Sequence, residues 1–489
     1  MVTCICGDIQ KRRGNWDITL LIAHVLPSSF YESSKNRTRE RERKMNKTYK
    51  PSMFNYILDD DEKLILYNSF VGVKSILTVT KQNQEHVKSV LAPGMLIDNP
   101  GNIERCLIEH GLLVPTEENE KTKRDFLLSQ IVNSNTLELV ITVTEKCNFV
   151  CKYCSLDFAK GKMSVTVQDN IIEFVNKNIY RYKDMRVEWF GGEPLLCMDI
   201  IEKLSTSFIE ICRKAHKGYS AGITTNGYLL SFDTFKTLYN NKVIAYQITL
   251  DGLKQEHDNQ RCLANQKGTF DVILSNLLQI KSNTKSAFFR INIRTNFTKA
   301  SVSNIDEYLR FFEEQFAGDD RFAFFVRAAG DWGGDRVKSF NGLLSQNEEN
   351  TLVEKIYQND PKIDFHMNYA FLEPGRTVCH AVRKNMFNIG CDGKIYKCDS
   401  SIDIACVGEL RDGGNMEIDE YKVALWACGT RYMSPECEEC FFSCSCIKGG
   451  CPLDIVKGYD PQKKRCSFEK ENIDGLLKLF VKSQKTMLI

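Results

Sequence analysis

The sequence predicts an α/β fold, a parallel sheet covered by helices, with a small hairpin unit before it and a cysteine-rich region after it. Three observations carry this. Between Thr136 and Arg327 six apolar, β-branched runs alternate with segments of helical periodicity, the pattern of a parallel sheet with right-handed crossovers. Upstream, two apolar runs flank the acidic turn Asp59-Asp60-Asp61-Glu62. Downstream, 11 of the 20 cysteines crowd between Cys379 and Cys466.

Bulk properties narrow the function. A chain of 489 residues holds two or three domains. With 43% hydrophobic and 26% charged residues it is ordinary for a globular protein. A net charge of +2 gives no electrostatic case for a nucleic-acid partner. No run approaches the roughly 18 apolar residues of a membrane span. The chain is long for a disulfide-stapled secreted protein and shows no signal peptide, so the cysteines read as reduced, metal-binding thiols in a cytoplasm.

Residues 1–44 carry the charge run 36–44 and no periodicity, and read as a disordered or non-native extension. Residues 45–116 form a unit: the hairpin Phe54–Leu58 and Lys63–Tyr67, helical patches at Asn83–Leu91 and Asn102–His110, then a Gly stop and the short strand 111–114. Residues 117–135 open with the polar Glu117–Arg124 and read as a linker or solvated helix end. The alternation then gives strands at 137–144, Met185–Phe190, Ala221–Thr225, Ile244–Leu250, Ala287–Arg294 and Phe322–Arg327. Helices are expected near Val165–Tyr180, Asp199–Ala215, Ser231–Asn240, Thr269–Lys281 and Val302–Glu314. Chemistry in such sheets gathers at the carboxyl ends of the strands.

The first strand runs into Cys147-Asn148-Phe149-Val150-Cys151-Lys152-Tyr153-Cys154, a C-x3-C-x2-C loop. Three thiolates hold three irons of a four-iron cube and leave the fourth iron open. A zinc site would want a fourth Cys or His close by, and the next Cys is Cys197.

This loop resembles the signature of the radical S-adenosylmethionine (SAM) enzymes. The resemblance implies that the open iron chelates SAM, that Tyr153 lies against the adenine, and that the sheet closes into a partial (β/α)6 TIM-like barrel over residues 136–335. Gly191-Gly192-Glu193-Pro194 matches the family motif that binds the SAM amino group, with two glycines for close backbone approach and a carboxylate to accept from an ammonium. Thr225-Asn226-Gly227, Thr249-Leu250-Asp251-Gly252 and Arg294-Thr295-Asn296 are similar to pocket-lining positions, or else are polar turns. His257, Asp258 and Arg261 resemble the family's H-D-x-x-R helix start, structural or catalytic. Gly330 to Gly334 is a barrel-mouth loop or a plain turn.

The hairpin unit resembles the winged-helix peptide-recognition element of peptide-modifying members, where an exposed strand edge pairs with a leader peptide; a structural cap is the other reading. After a connecting segment, 336–378, residues 379–489 resemble the SPASM extension with two further four-iron clusters. By carry-over Cys379, Cys398 and Cys451 serve the inner cluster and Cys437, Cys440, Cys446 and Cys466 the outer one. Cys391 is the first choice for a fourth inner ligand, with Cys406, Cys428 or an open site for a substrate thiolate as alternatives. Here x4 separates Cys446 from Cys451, where the family has x3, and Cys444 stands nearby.

The resemblance implies an oxidoreductase of the ribosomal-peptide maturase kind. It cleaves SAM and uses the 5′-deoxyadenosyl radical on a precursor peptide, with a thioether cross-link of sactipeptide or ranthipeptide type as product. It also implies SAM and three [4Fe-4S] clusters as cofactors, and a flavodoxin- or ferredoxin-type electron donor. An anaerobic sulfatase-maturating enzyme and a non-catalytic iron–sulfur carrier are the alternatives.

Overall fold

Leu64 to Tyr67 are apolar without a break, and the fold gives the reason: each is fully buried, two on either face of one sheet. The computed structural model describes residues 47–60, 63–154, 156, 160–284, 288–330, 335–358, 369–399, 405–428, 435–446, 451–456, 458, 466–483 and 487–488. The expected extension 1–44 lies outside them. The N-terminal unit begins with β1 (Tyr49–Pro51), followed by an antiparallel meander of β2 (Asn55–Asp60), β3 (Lys63–Asn68) and β4 (Gly72–Val79). Helices α1 (Gln84–Val90) and α2 (Asn102–Glu109) follow, and β5 (Leu113–Pro115) pairs with β1. Leu64 and Leu66 pack with Val87, Val90 and Leu107 of the two helices. Ile65 and Tyr67 join the large core shared with the rest of the chain.

That second face docks on the cysteine-rich region. The Tyr67 hydroxyl donates to the Leu372 carbonyl at 2.6 Å. The Tyr56 ring lies 4.5 Å from Phe441, and its hydroxyl donates to Asp474 at 2.6 Å.

The expected linker is a helix, α3 (Glu120–Val132), started by Asn119, which accepts from the Thr122 N–H at 3.1 Å. Leu127 and Ile131 pack with Phe54, Val378 and Val382. Arg124 is buried, donating to the carbonyl and carboxylate of Glu438 at 3.0 Å each. Polarity suggested a solvated segment because the partner of Arg124 stands far away in sequence.

The central α/β unit alternates as predicted. Its strands are β6 (Thr136–Thr142), β7 (Asp184–Phe190), β8 (Gly218–Thr225), β9 (Val243–Thr249), β10 (Arg290–Phe297) and β11 (Phe322–Ala328), parallel and in sequence order. Between them lie α4 (Val165–Asn178), α5 (Met198–Lys214), α6 (Phe232–Asn240), α7 (Lys254–Gln260), α8 (Phe270–Asn283) and α9 (Ile305–Phe316). On β7, Met185, Val187 and Trp189 are buried towards the helices, Trp189 stacking 6.4 Å from Phe208 of α5. The alternate residues Arg186 and Glu188 therefore face the opposite, inner side.

The C-terminal region extends this same sheet. Strand β12 (Met386–Ile389) pairs in parallel with β6, and β13 (Lys394–Tyr396), β14 (Cys406–Arg411) and β15 (Asn415–Ile418) follow antiparallel, making ten strands. Arg383 fastens the junction with bonds of 2.6 and 2.7 Å to the Glu138 carboxylate. Helix α10 (Ile473–Ser483) leads to β16 (Met487–Leu488), which pairs in parallel with β4. No helix among the described residues is long and apolar enough to cross a membrane.

Leu66→Ala empties a site closed on all sides and is expected to lower stability by about 2–5 kcal/mol, read as a fall in the denaturant midpoint of the anaerobic protein.

Candidate active site

The three cysteines of the loop after β6 lie together at the carboxyl end of the sheet. All are free thiols, with Cys151 buried and Cys147 and Cys154 partly so. Burial pushes Cys147 up to about 11 and Cys151 up to about 12, and the neighbouring cysteines add to both shifts. The Phe149 N–H donates to the Cys147 sulfur at 3.3 Å.

Two other chain segments hold this loop. The first is Gly191-Gly192-Glu193. The Gly192 N–H donates to Thr144 O and the Glu193 N–H to Lys146 O, both at 2.9 Å. A Cβ on Gly191 would stand 2.3 Å from Thr144 O, and one on Gly192 would stand 2.4 Å from Glu145 O and 2.5 Å from Lys146 O. The glycines are thus required by the approach of the chain to itself. Glu193 also has a structural role: its carboxylate is fully buried and accepts from Leu195 N–H (3.0 Å), Thr225 Oγ1 (2.7 Å) and Asn226 N–H (2.7 Å). The Asn226 side chain in turn donates to Asn148 Oδ1 at 2.8 Å and to the Cys147 sulfur at 3.9 Å. Glu193 therefore ties the ends of β7 and β8 to the cysteine loop.

The second segment follows α7. The Val150 N–H donates to Cys262 O at 2.9 Å, the Lys152 N–H to Gln260 O at 3.0 Å, and Phe149 bridges Leu263. Between these bonds the Arg261 side chain turns inward and donates to the Tyr153 hydroxyl at 3.0 Å. Tyr153 also bonds Asp251 and receives a 3.3 Å contact from Asn296. Asp251 is fully buried and accepts from the Asn296 N–H at 2.7 Å.

Two residues of the helix start, His257 and Asp258, are engaged in structural contacts. The His257 Nδ1 accepts the Asp251 N–H at 3.0 Å and its Nε2 meets Thr269 at 3.0 Å. Burial holds His257 well below its ordinary range, so the imidazole is neutral. Asp258 caps α8 by accepting from the N–H groups of Thr269 (2.7 Å) and Phe270 (2.9 Å). Thr249 is buried at the end of β9 opposite Arg294 in register, and Arg294 donates to Asn296 at 2.8 Å. The loop 331–334 lies outside the described residues.

Sequence reasoning passed over Glu188. It faces the inner side of β7, accepts from Thr224 Oγ1 at 2.9 Å, and is pushed up to about 7 by burial. A Cβ on Gly222 would stand 2.2 Å from its carboxylate, so the neighbouring strand leaves room for it. The signal was present: Arg186 and Glu188 alternate with large apolar residues along the strand.

In the C-terminal region Cys379 and Cys451 are electrostatic neighbours, and burial pushes Cys379 up to about 11. Cys391 corrects its expected place beside them. The register Asn388↔Tyr396 and Ile389↔Ile395 puts Cys398 opposite Met386, so Cys391 sits five residues away at the hairpin tip, about 16 Å along the strand. There it meets Glu145 and Lys160, beside the first cysteine loop. Cys406 pairs with Tyr396 and stays near Cys398. Cys444 is a core thiol packed with Phe54 and Val382. Cys437 is buried beside Cys440, whose N–H donates to its carbonyl at 3.3 Å, and Cys466 receives the Lys470 ammonium at 3.3 Å. Cys446 is partly buried, and the Cys428 side chain lies outside the described set.

No group of three or more His, Cys, Asp or Glu among the described residues converges on a single metal ion. A four-iron cube places each thiolate on its own iron and asks for wider spacing. Three thiols on one loop, one buried and two partly so, with no fourth protein ligand beside them among the described residues, fit that group.

Residues 141–309 match the model of the Radical SAM superfamily. The matched stretch runs from β6 into α9, so the cysteine loop and the segments that hold it lie within a radical SAM domain, built here on the parallel α/β sheet. It is 28% identical over 194 residues to the cysteine-type anaerobic sulfatase-maturating enzyme of Clostridium novyi, covering 38% of this chain and 50% of that one. It is 32% identical over 158 residues to the GTP 3′,8-cyclase of Campylobacter jejuni, 30% of this chain and 46% of that one. The chain thus spans about half the length of these curated relatives. Among solved structures, its fold is similar to native anSMEcpe with bound AdoMet and the Kp18Cys peptide, with a TM-score of 0.55, 18% identity, and 71% and 97% of the two chains covered.

Two outcomes are expected. Gly192→Ala forces apart two bonded backbones and should abolish iron retention by this loop, measured as iron per chain in a background lacking the C-terminal cysteines Cys437 and Cys440. Because burial keeps Cys147 and Cys151 protonated at neutral pH, loading the loop must release protons. Iron uptake at fixed iron and sulfide should rise from pH 7 to pH 9, and the rise should be smaller when the three cysteines are Ala, the difference being the share of this loop.

Proposed function

We propose that this chain is a radical SAM maturase of peptides that closes a Cys thioether cross-link in a ribosomally made precursor. The observation that supports it is the N-terminal sheet packed on the cysteine-rich region, in which β4 is covered by the chain's own β16 while β2, among the described residues, pairs with β3 alone and presents an edge to a peptide strand. Cys147, Cys151 and Cys154 hold the SAM-binding cluster; Tyr153, Gly191, Gly192, Glu193, Thr225, Asn226, Thr249, Asp251 and Arg294 line the SAM pocket. When bound, these groups supply the electron that splits SAM and the 5′-deoxyadenosyl radical that takes hydrogen from the peptide. The residues 191–193 and 260–263 keep the cysteine loop in place, and Asp251 and Asn296 fix Tyr153.

Closing a C–S bond from C–H and S–H removes two hydrogens from the peptide. One leaves as an atom to the nucleoside. The second leaves as an electron, taken by an auxiliary iron–sulfur centre, and a proton. Glu188, enclosed on the inner side of the sheet and pushed up to about 7, is placed to accept that proton. In this reading Cys379, Cys398 and Cys451 serve the inner auxiliary centre with Cys406 in place of Cys391, and Cys437, Cys440, Cys446 and Cys466 serve the outer one. A flavodoxin- or ferredoxin-type donor and a cytoplasmic setting belong to the same proposal.

Maturation of a sulfatase, converting Cys to formylglycine, is the second reading, favoured by the resemblance to the Clostridium novyi enzyme and to the anSMEcpe fold. Mass spectrometry separates them: the thioether costs a peptide two hydrogens, whereas formylglycine formation removes the sulfur.

Three four-iron clusters predict about twelve irons per chain after anaerobic reconstitution. Replacing Cys147, Cys151 and Cys154 together by Ala is expected to leave about two thirds of that iron and to abolish 5′-deoxyadenosine, followed by chromatography. Replacing Cys437 and Cys440 by Ala should spare SAM cleavage and suppress modified peptide. Parent-level nucleoside from the triple variant would sink the proposal.

A further inference from the structure

The segment after α7 does more than brace the cysteine loop. Arg261 carries a charge into it. The Arg261 side chain is only 10% exposed, lies 3.9 Å from Asp251 and stacks 5.8 Å above the Phe149 ring. Its Nε–H is buried and has no hydrogen-bond acceptor. Its charge opposes the upward shifts of Cys147, Cys151 and Glu193. Asp251 already faces Arg261 at longer than hydrogen-bond range and spends its Oδ1 on Asn296. A buried guanidinium with an unmet donor is costly unless the site gains negative charge. A cluster held through the sulfurs of this loop would supply that charge.

We infer that Arg261 is the fixed buried cation that favours the reduced form of the cluster held by Cys147, Cys151 and Cys154, and so eases the electron transfer that starts the reaction. This rests on the proposed cluster at those cysteines. The physical reason is simple. Reduction adds one negative charge to the cluster, and a fixed positive charge that acts on Cys147 and Cys151 in a poorly screened site stabilises the product of reduction over the reactant. Arg keeps that charge at any working pH. The hydrogen bond to Tyr153 holds the guanidinium in place.

The test is a redox titration of the reconstituted protein without SAM, followed by electron paramagnetic resonance. Signals from irons elsewhere are subtracted with the triple Cys147→Ala, Cys151→Ala, Cys154→Ala variant. At the potential that half-reduces the parent, Arg261→Gln is expected to show a reduced-to-oxidised ratio lower by about tenfold or more. Arg261→Lys should recover most of it, because the charge returns without the fork. Equal ratios in parent and Arg261→Gln at equal iron would overturn the inference. If Arg261→Gln loses its iron, Arg261→Lys decides: iron retained at a near-parent ratio supports a charge, and loss in both variants shows a bracing role only. The parent's own 5′-deoxyadenosine yield separates this outcome from failure of the proposed function. An active parent with unshifted ratios rejects Arg261 alone.

Discussion

Two backbones pressed together set the geometry of this site. The turn after β7 meets the loop after β6 so closely that neither Gly191 nor Gly192 has room for a methyl group. Hydrogen bonds from Gly192 to Thr144 and from Glu193 to Lys146 fix the contact. The buried Glu193 carboxylate then transmits it to Thr225 and Asn226 on the next strand, and Asn226 reaches back to Cys147. Three strand ends are thereby locked to one loop largely through its backbone, with the Asn148 side chain and the Cys147 sulfur receiving Asn226. The cysteines remain available because backbone does the holding, an arrangement that preorganises a site at little cost in reorganisation.

Much of this was legible in the residues. Six strands and their helices showed in the apolar periodicity, since each parallel strand is buried on its helical side and each helix on one face. The cysteine loop showed in its spacing and in its position after a strand. Other features were hidden for identifiable reasons. Residues 120–132 look solvated, yet Arg124 is buried because Glu438 partners it from more than three hundred positions away. Cys391 looks close to Cys398 in sequence, but a β-hairpin turns seven residues of chain into opposite ends of a ladder. The glycines announced close approach correctly and concealed what they approach. Arg261 stood in a recognisable motif, but its charge acquires meaning only from the packing of Phe149, Tyr153 and Asp251 around it.

The cysteine-rich region is continuous with the central sheet. Strand β12 pairs with β6 directly, and the hairpin tip at Asp392 returns to the cysteine loop, where Lys160 lies 2.9 Å from Asp392 and 3.6 Å from Glu145. Displacing that hairpin would therefore be felt at the loop through a short ionic chain. Such a link gives the two regions a physical route for mutual influence.

The docking of the N-terminal sheet has a consequence for how the chain comes to be folded. Ile65 and Tyr67 are buried against the core formed largely by later residues, and the Tyr56 hydroxyl finds Asp474 across 418 positions. During synthesis this sheet emerges early, with one face covered by α1 and α2 and the other bare. It stays bare until nearly the whole chain has been made. Contacts of such separation are slow to form, and an apolar strand surface left waiting is an invitation to other chains. The acidic tip at Asp59 and Asp60, whose Asp60 later pairs with Lys478 at 2.9 Å, puts charge beside that face during the interval, in the manner of a gatekeeper that discourages premature partners.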